Sequence, residues 1–377
     1  MAEYKTLVKK IPISPEKKTK QKNYLRKGQL PIVDQGQGLI GGYTDDTGMT
    51  VNCDLPVIVF GDHTRAVKYI SFPFGAGADG IKVLEPKENI LPLFLYYGTQ
   101  YIVAKMPNRG YARHYQYVEK EDLPVPSLPE QERIVSRIEE LFSQLDAGVE
   151  TLKKTKAQLA VYRQAVVEDA IATAKHRGAT ALPFGTFVLQ YQNGISKRSG
   201  EGIQTPVLRL ADIKNQRIST DDGLRLIGLS KNERDRFVLK KRELLIVRVN
   251  GSENNVGRSI VVDKDDSYAA CDHFIRCLVD CSQIVPEYAQ LLLDSFSARK
   301  HIKENMVSSA GQNTVSQTTM SSIMVFVPDI SVQEKIMVSV NERLSVCDSI
   351  EQTVDTALQQ AEAMRQSILK KAFEGAL

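Results

Sequence analysis

Apolar residues recur every seven positions along two widely separated stretches of this chain, and elsewhere they fall in short runs broken by polar turns. In the first stretch Ile138, Leu145, Leu152, Leu159 and Val166 keep the spacing. Ile134, Leu141 and Tyr162 take the companion position, which Gly148 and Thr155 interrupt. In the second stretch the row is Val340, Cys347, Val354, Ala361 and Ile368, with Ile336, Ile350, Ala357 and Met364 beside it. Such rows predict two long helices that meet along a seam. Small residues in one row let larger ones in the other approach closely. Pro126 and Pro328 stop the preceding strands, and Pro129 falls near the first helix start, where its missing N–H costs nothing. A helix from about residue 130 to 173 would be roughly 65 Å long and could not bury its stripe alone.

The two stretches are copies. Gln131, Glu132 and Ile134 return 202 residues on as Gln333, Glu334 and Ile336. The same offset carries Pro126 to Pro328, Asp146 to Asp348, Gln158 to Gln360, Arg163-Gln164 to Arg365-Gln366 and Ala170 to Ala372, with no gap. The natural partner of each helix is therefore its own repeat. With one domain before each helix, an antiparallel pair sets the domains at opposite ends. The predicted fold is α+β: two β-rich globular domains separated by two long antiparallel coiled-coil helices, pseudo-two-fold symmetric. The expected divisions are 1–127, a helix at 128–178, a second domain at 179–329 and a second helix at 330–377.

The globular segments read as diverged relatives of one another. Runs such as Pro56-Val57-Ile58-Val59-Phe60 and Leu244-Leu245-Ile246-Val247 alternate with Gly, Asn and Asp turns. Gln29-Leu30-Pro31-Ile32-Val33 parallels Gln204-Thr205-Pro206-Val207-Leu208, and helical signals at 91–97 and 286–292 correspond. Each segment carries two polar loops in matching places. In the first these are Asp62-His63-Thr64-Arg65 and the stretch through Arg109, Arg113, His114 and Tyr115. In the second they are Arg248, Asn250, Ser252, Asn254, Asn255 and Arg258, then Gln312 and Asn313. Arg suits guanine edges, Gln and Asn suit adenine, and Tyr stacks. Gln35 and Gln37 join the candidates, as do Lys197 and Arg198. For any one loop the reading as a solvated turn also stands, because turns favour these residue types.

Composition changes the picture only locally. Net charge is +4 over 377 residues, too small to identify a nucleic-acid binder. Its distribution says more: Lys18, Lys20 and Lys22 sit among nine basic residues in the first thirty, an arm able to neutralise phosphates or a solvated terminus. Five cysteines in apolar surroundings, no membrane-length apolar run and no secretory pattern give the expectation of a cytoplasmic protein. Gly75-Ala76-Gly77-Ala78-Asp79-Gly80 fits a nucleotide-binding pattern, but it is followed by a strand-like run ending at Pro86, so a tight turn is expected. Cys271, His273, Cys277 and Cys281 are separated by even numbers of residues and would share one face of a strand as buried small residues; the paired close ligands of a C-x-x-C turn are missing, so no metal site is expected. Phosphate-loop, hydrolase-elbow, zinc-protease and amino-methyltransferase signatures are absent from the sequence.

The segment Leu123-Pro124-Val125-Pro126-Ser127-Leu128-Pro129-Glu130-Gln131-Glu132-Arg133-Ile134-Val135 closely resembles the specificity subunits of Type I restriction-modification systems. The likeness continues through Ile138–Phe142, Leu145–Gly148 and Tyr162–Val166, and the ending from Arg365 to Gly375 is similar to the family's usual one. The resemblance implies two target recognition domains, each reading half of a bipartite double-stranded DNA site, with the helices setting the unread spacer. It implies docking of two modification methyltransferase subunits, joined by restriction translocase and nuclease subunits. S-adenosylmethionine, ATP and Mg are then expected on those partners and no cofactor on this chain, which would not be an enzyme. The outward helix faces around Arg133, Arg137 and Arg163 are expected to bind partner helices. The alternative is a non-catalytic coiled-coil scaffold that binds proteins and has no DNA role.

Overall fold

A computed structural model describes residues 1–377 apart from Asp79, Asn108, Arg109, Tyr111, Asn215, Gln216, Thr220, Asp221, Asp222 and Asp266. The chain is α+β and divides into two units: Met1–Lys154 with Val354–Leu377, and Thr155–Thr353. Each contains one β-rich segment, one end of the long helix Leu128–His176 and the opposite end of the long helix Ile330–Phe373.

In the first unit an antiparallel sheet runs in the order Val8–Ile11, Ile81–Pro86, Val57–Gly61, Val67–Ile70. Val57–Gly61 is central and buried at every position, as its unbroken apolar run requires. Side chains alternate across it. Ile58, Phe60 and Leu84 pack toward the helix Pro92–Lys105, the start of the first long helix (Ile134, Ile138, Phe142) and the end of the second (Leu369, Ala372, Phe373). Val57, Val59 and Val83 pack with Val33, Ile70, Phe74 and Ala76 against a second sheet. There Gly75–Gly77 lies parallel to both Lys18–Thr19 and Leu30–Val33, and Gly42–Thr44 pairs antiparallel at the edge. Gly75–Gly77, the start of the glycine pattern, is thus a buried strand where a tight turn was expected.

The second unit repeats that topology. Its sheet runs Val188–Asn193, Phe274–Val279, Leu244–Val247, Ser259–Val261, again antiparallel throughout. Ala269–Ala270 lies parallel to Ile203–Leu208, which pairs antiparallel with Arg225–Leu229. Leu244, Ile246, Ile275 and Cys277 pack toward the helix Pro286–Leu293 and the long-helix residues Val166, Ala170, Ile336 and Val340.

One repeated residue explains how each β-rich segment is fixed to its helix. Gln131 is fully buried; its amide donates to the carbonyls of Asn89 (2.9 Å) and Pro126 (3.0 Å) and accepts from Leu91 N–H (2.9 Å). Gln333, also fully buried, donates to Gln283 (2.8 Å) and Pro328 (2.7 Å) and accepts from Val285 N–H (2.8 Å). Leu91 and Val285 precede the first turns of their short helices, whose N–H groups have no partner within the helix. The glutamine clamps that turn to the chain entering the long helix.

The helices run antiparallel in each unit. Arg365 pairs with Asp146 and sits 4.4 Å from the Phe142 ring centroid in the first. In the second, its repeat counterpart Arg163 pairs with Asp348 (2.7 Å) and Glu351 (2.9 Å), and Arg343 pairs with Asp169 (2.6 Å). Ile138, Leu159, Val166, Val340, Cys347, Val354 and Ala361 are buried, and Leu145, Leu152 and Ile368 half-buried. The companion row is less regular than expected: Tyr162, Ile350 and Met364 are exposed. Two helices alone bury one narrow stripe, and the flanks are taken by arginines; Arg343 donates to Tyr162 Oη at 3.1 Å and lies over its ring. Arg163 accordingly faces the other helix instead of projecting outward as anticipated. Arg133 and Arg137 are exposed and tied to Glu130 and Glu140 on their own helix.

Candidate nucleic-acid interface

The two polar loops singled out in each β-rich segment come together in the fold. In the first unit Asp62 is the hub. Its N–H donates to Gly80 O (2.6 Å), its carbonyl accepts from His114 N–H (2.9 Å), and its carboxylate accepts from Tyr115 N–H (2.8 Å) with Lys82 at 3.5 Å. His63 Nδ1 lies 3.2 Å from the Ala112 carbonyl. A carbonyl only accepts, so that nitrogen carries the proton. Gln37 donates to Thr64 O (3.3 Å) and Thr64 donates to Gln35 O, which joins the glutamine loop to the same block. The Gln35 amide packs where a Cβ at Gly80 would intrude, and Gly80 has φ +89°.

In the second unit the same bonds recur around Arg248. Its N–H donates to His273 O (2.7 Å), and its carbonyl accepts from Val315 N–H (3.0 Å). Val249–Asn250 pairs with Gln312–Thr314, which in turn pairs with Val307–Ser309, so Asn250 and Asn313 are register partners. Asn313 donates to Gly251 O (3.1 Å) and Asn250 accepts from Ser252 N–H (2.9 Å). The tip is braced from below: Arg258 Nε (3.1 Å) and Arg299 (2.9 Å) both donate to Asn254 O, Arg258 reaches Asp294 (3.4 Å), and Lys303 pairs with Glu253 (2.6 Å). Burial and the neighbouring Arg258 push the Arg299 guanidinium pKa below its usual value. Arg299 and Lys303 belong to the helix Phe296–Asn305 and were missed in the sequence, because nothing along the chain links them to a loop 45 residues earlier.

These matching bonds set Asp62 against Arg248 and His114 against Val315. Both members of the second pair are fully buried, so His114 occupies a core position. Its Nδ1 lies 3.0 Å from Asp62 O. Tyr115 is buried as well, and burial pushes its phenol pKa up to about 12. Neither can touch a base without unfolding the block, which removes both from the candidate readers. Lys20, Lys22, Gln37, Arg113, Arg198, Ser252, Asn254, Asn255 and Gln312 are exposed. Lys18, Gln35, His63, Arg65, Lys197, Arg248, Asn250, Arg258 and Asn313 are half-buried; Lys197 is held by Glu233 at 3.0 Å and Arg65 reaches Met106 O at 3.4 Å. Arg109 lies outside the described residues.

The cysteine reading needs correction. Cys277 is buried within the sheet, but Cys271 and His273 sit on the turn before that strand and Cys281 lies exposed beyond it, so the four share no face. Among the described residues Cys271, Asp272 and His273 form a potential metal-ligand group, their ligand atoms all within 4.8 Å of one another.

Residues 9–160 match the Type I restriction modification DNA specificity domain. The StySPI Type I restriction enzyme specificity subunit of Salmonella potsdam is 32% identical over 268 residues, 68% of this chain and 58% of that protein. Over this stretch the chain is similar to Type I restriction enzyme specificity subunits. The EcoKI specificity subunit of Escherichia coli (strain K12) is 29% identical over 269 residues, with the same 68% and 58% coverage. The chain spans 58% of the length of the curated relatives it matches. A solved structure from work on complex assembly and conformational transition of the type I R-M system shares the fold at TM-score 0.68 and 14% identity, covering 100% of this chain and 97% of that one. No helix among the described residues is long and apolar enough to cross a membrane.

Proposed function

We propose that this chain is a non-catalytic DNA-reading subunit whose two units each read half of a bipartite double-stranded target. The observation that carries this reading is the recurrence, in both units, of one block that joins the hairpin after the central strand to the segment leading into the long helix. Each block presents exposed amide and basic side chains: Gln37 and Arg113 in the first, Asn254, Asn255 and Gln312 in the second. Amides pair with adenine edges and Arg with guanine, while Lys20, Lys22 and Arg198 neutralise phosphates. Bracing by Arg258, Arg299 and Lys303 holds the second tip before DNA arrives, which lowers the ordering cost on binding.

In this reading the long helices carry two modification methyltransferase subunits, and restriction translocase and nuclease subunits join them in the cytoplasm. S-adenosylmethionine, ATP and Mg belong on those partners. Adenine-methylation maps of the host genome with and without the gene test the reading. Loss of one bipartite motif with a fixed unread spacer is expected on deletion. An unchanged map, with the modification partner active, would instead favour a protein-binding scaffold.

A further inference from the structure

We infer that the turn Cys271-Asp272-His273 is a zinc site, one that stands apart from the DNA-reading proposal. Its backbone is fixed on every side. Cys271 N–H donates to Leu208 O (3.1 Å), Asp272 N–H to Ile195 O (3.0 Å), Phe274 N–H to Cys271 O (3.1 Å), and Arg248 binds the carbonyls of both His273 (2.7 Å) and Asp272 (3.3 Å). The three ligand side chains therefore leave a rigid turn and need little ordering to meet an ion.

Their separations fit tetrahedral zinc. Cys271 Sγ lies 3.8 Å from His273 Nδ1, and His273 Nδ1 lies 3.3 Å from Asp272 Oδ1. Zinc bonds of about 2.3 Å to sulfur and about 2.0–2.1 Å to nitrogen and oxygen put the edges of a tetrahedron at roughly 3.6 and 3.3 Å. The remaining edge, no longer than 4.8 Å, closes with a small side-chain rotation. Soft thiolate and imidazole beside one carboxylate select zinc over magnesium or calcium, which prefer all-oxygen sites.

Electrostatics permit the ion. The three residues line a cavity of about 280 Å³ with Lys197, Arg198, Arg209 and Arg225. Lys197 is neutralised by Glu233 (3.0 Å) and Arg209 by Asp212 (2.7 Å). The Cys271 thiolate and Asp272 carboxylate match the two charges of zinc, and Arg198 and Arg225 leave the rest of the cavity positive. The fourth position opens to that cavity and suits water or an anion.

The test is metal content of the full chain after zinc loading and dialysis, with cobalt substitution as a second readout. About one zinc per chain is expected, with a thiolate-to-cobalt charge-transfer band. Cys271→Ser and His273→Ala should each weaken zinc at least about tenfold in competition with a chromophoric chelator. Cys281→Ser should leave it unchanged. Circular dichroism confirms that the variants fold. Zinc held equally by folded Cys271→Ser, or wild-type zinc no greater than in that variant, overturns the site.

Discussion

The two β-rich segments share strand order, strand directions and the main-chain bonds around Asp62 and Arg248, yet their exposed tips differ. In the first unit three residues, 62–64, separate Gly61 from Arg65; in the second nine, 248–256, separate Val247 from Gly257. Arg65 and Gly257 make the same backbone bond to the strand before the loop, and both have left-handed φ, 60° and 76°. The comparison separates two kinds of position. Where a side chain makes the frame's bonds in both units, as Gln131 and Gln333 do, its chemistry is kept through the repeat; where the main chain makes them, as at Asp62 and Arg248, the side chain changes. Those at the tips change length and charge freely, because solvent-facing loops constrain neither packing nor backbone bonding.

Breaking the frame should cost most, and about equally in both units. Gln131→Ala and Gln333→Ala each strand two carbonyls and an N–H, so each should destabilise by about 2–4 kcal/mol in urea unfolding. Hydrogen exchange should place the loss in the variant's own unit. A marked asymmetry would show that the clamps are not equivalent. Next comes the core exchange: Val315→His buries a ring in an apolar place and should cost about 2–3 kcal/mol. His114→Val should change stability by no more than about 1 kcal/mol and leave the DNA target intact. A changed target would return His114 to the readers.

The hairpin comparison predicts opposite signs. A Cβ at Gly257 would meet Ile302 Cδ1 at 2.7 Å on a left-handed backbone, so Gly257→Ala should destabilise by about 1–2 kcal/mol. Arg65→Gly relieves a left-handed non-glycine residue and should gain up to about 1 kcal/mol in thermal unfolding. Smallest are the repeated ion pairs. Arg163→Ala and Arg365→Ala remove partly exposed contacts worth about 0–1 kcal/mol each. A much larger loss would mean that the pairs, not the apolar seam, hold the helices.

The helices are legible because a seven-residue period kept from Ile138 to Val166 has few other physical causes, and the 202-residue repeat supplies the partner. Pairing of the loops was legible in outline, since both segments place them alike. The orientation of single polar residues is not legible in the sequence. His114 and Tyr115 sit in a polar stretch, but the bond from His114 N–H to Asp62 turns them inward, and no local pattern records a bond across 52 residues. Arg163 turns toward the other helix for the same reason: its acids, Asp348 and Glu351, lie there. The turn at Cys271 was mistaken for strand because even spacing alone cannot locate where a strand begins.

The central claim, that each unit reads its own half of one target, is tested most directly by adenine-methylation maps of strains carrying Arg113→Ala or Asn255→Ala. Both residues are exposed, one in each unit. The account predicts that the two variants relax different halves of a single bipartite motif and leave its spacer unchanged. Relaxation of the same half by both variants would contradict it.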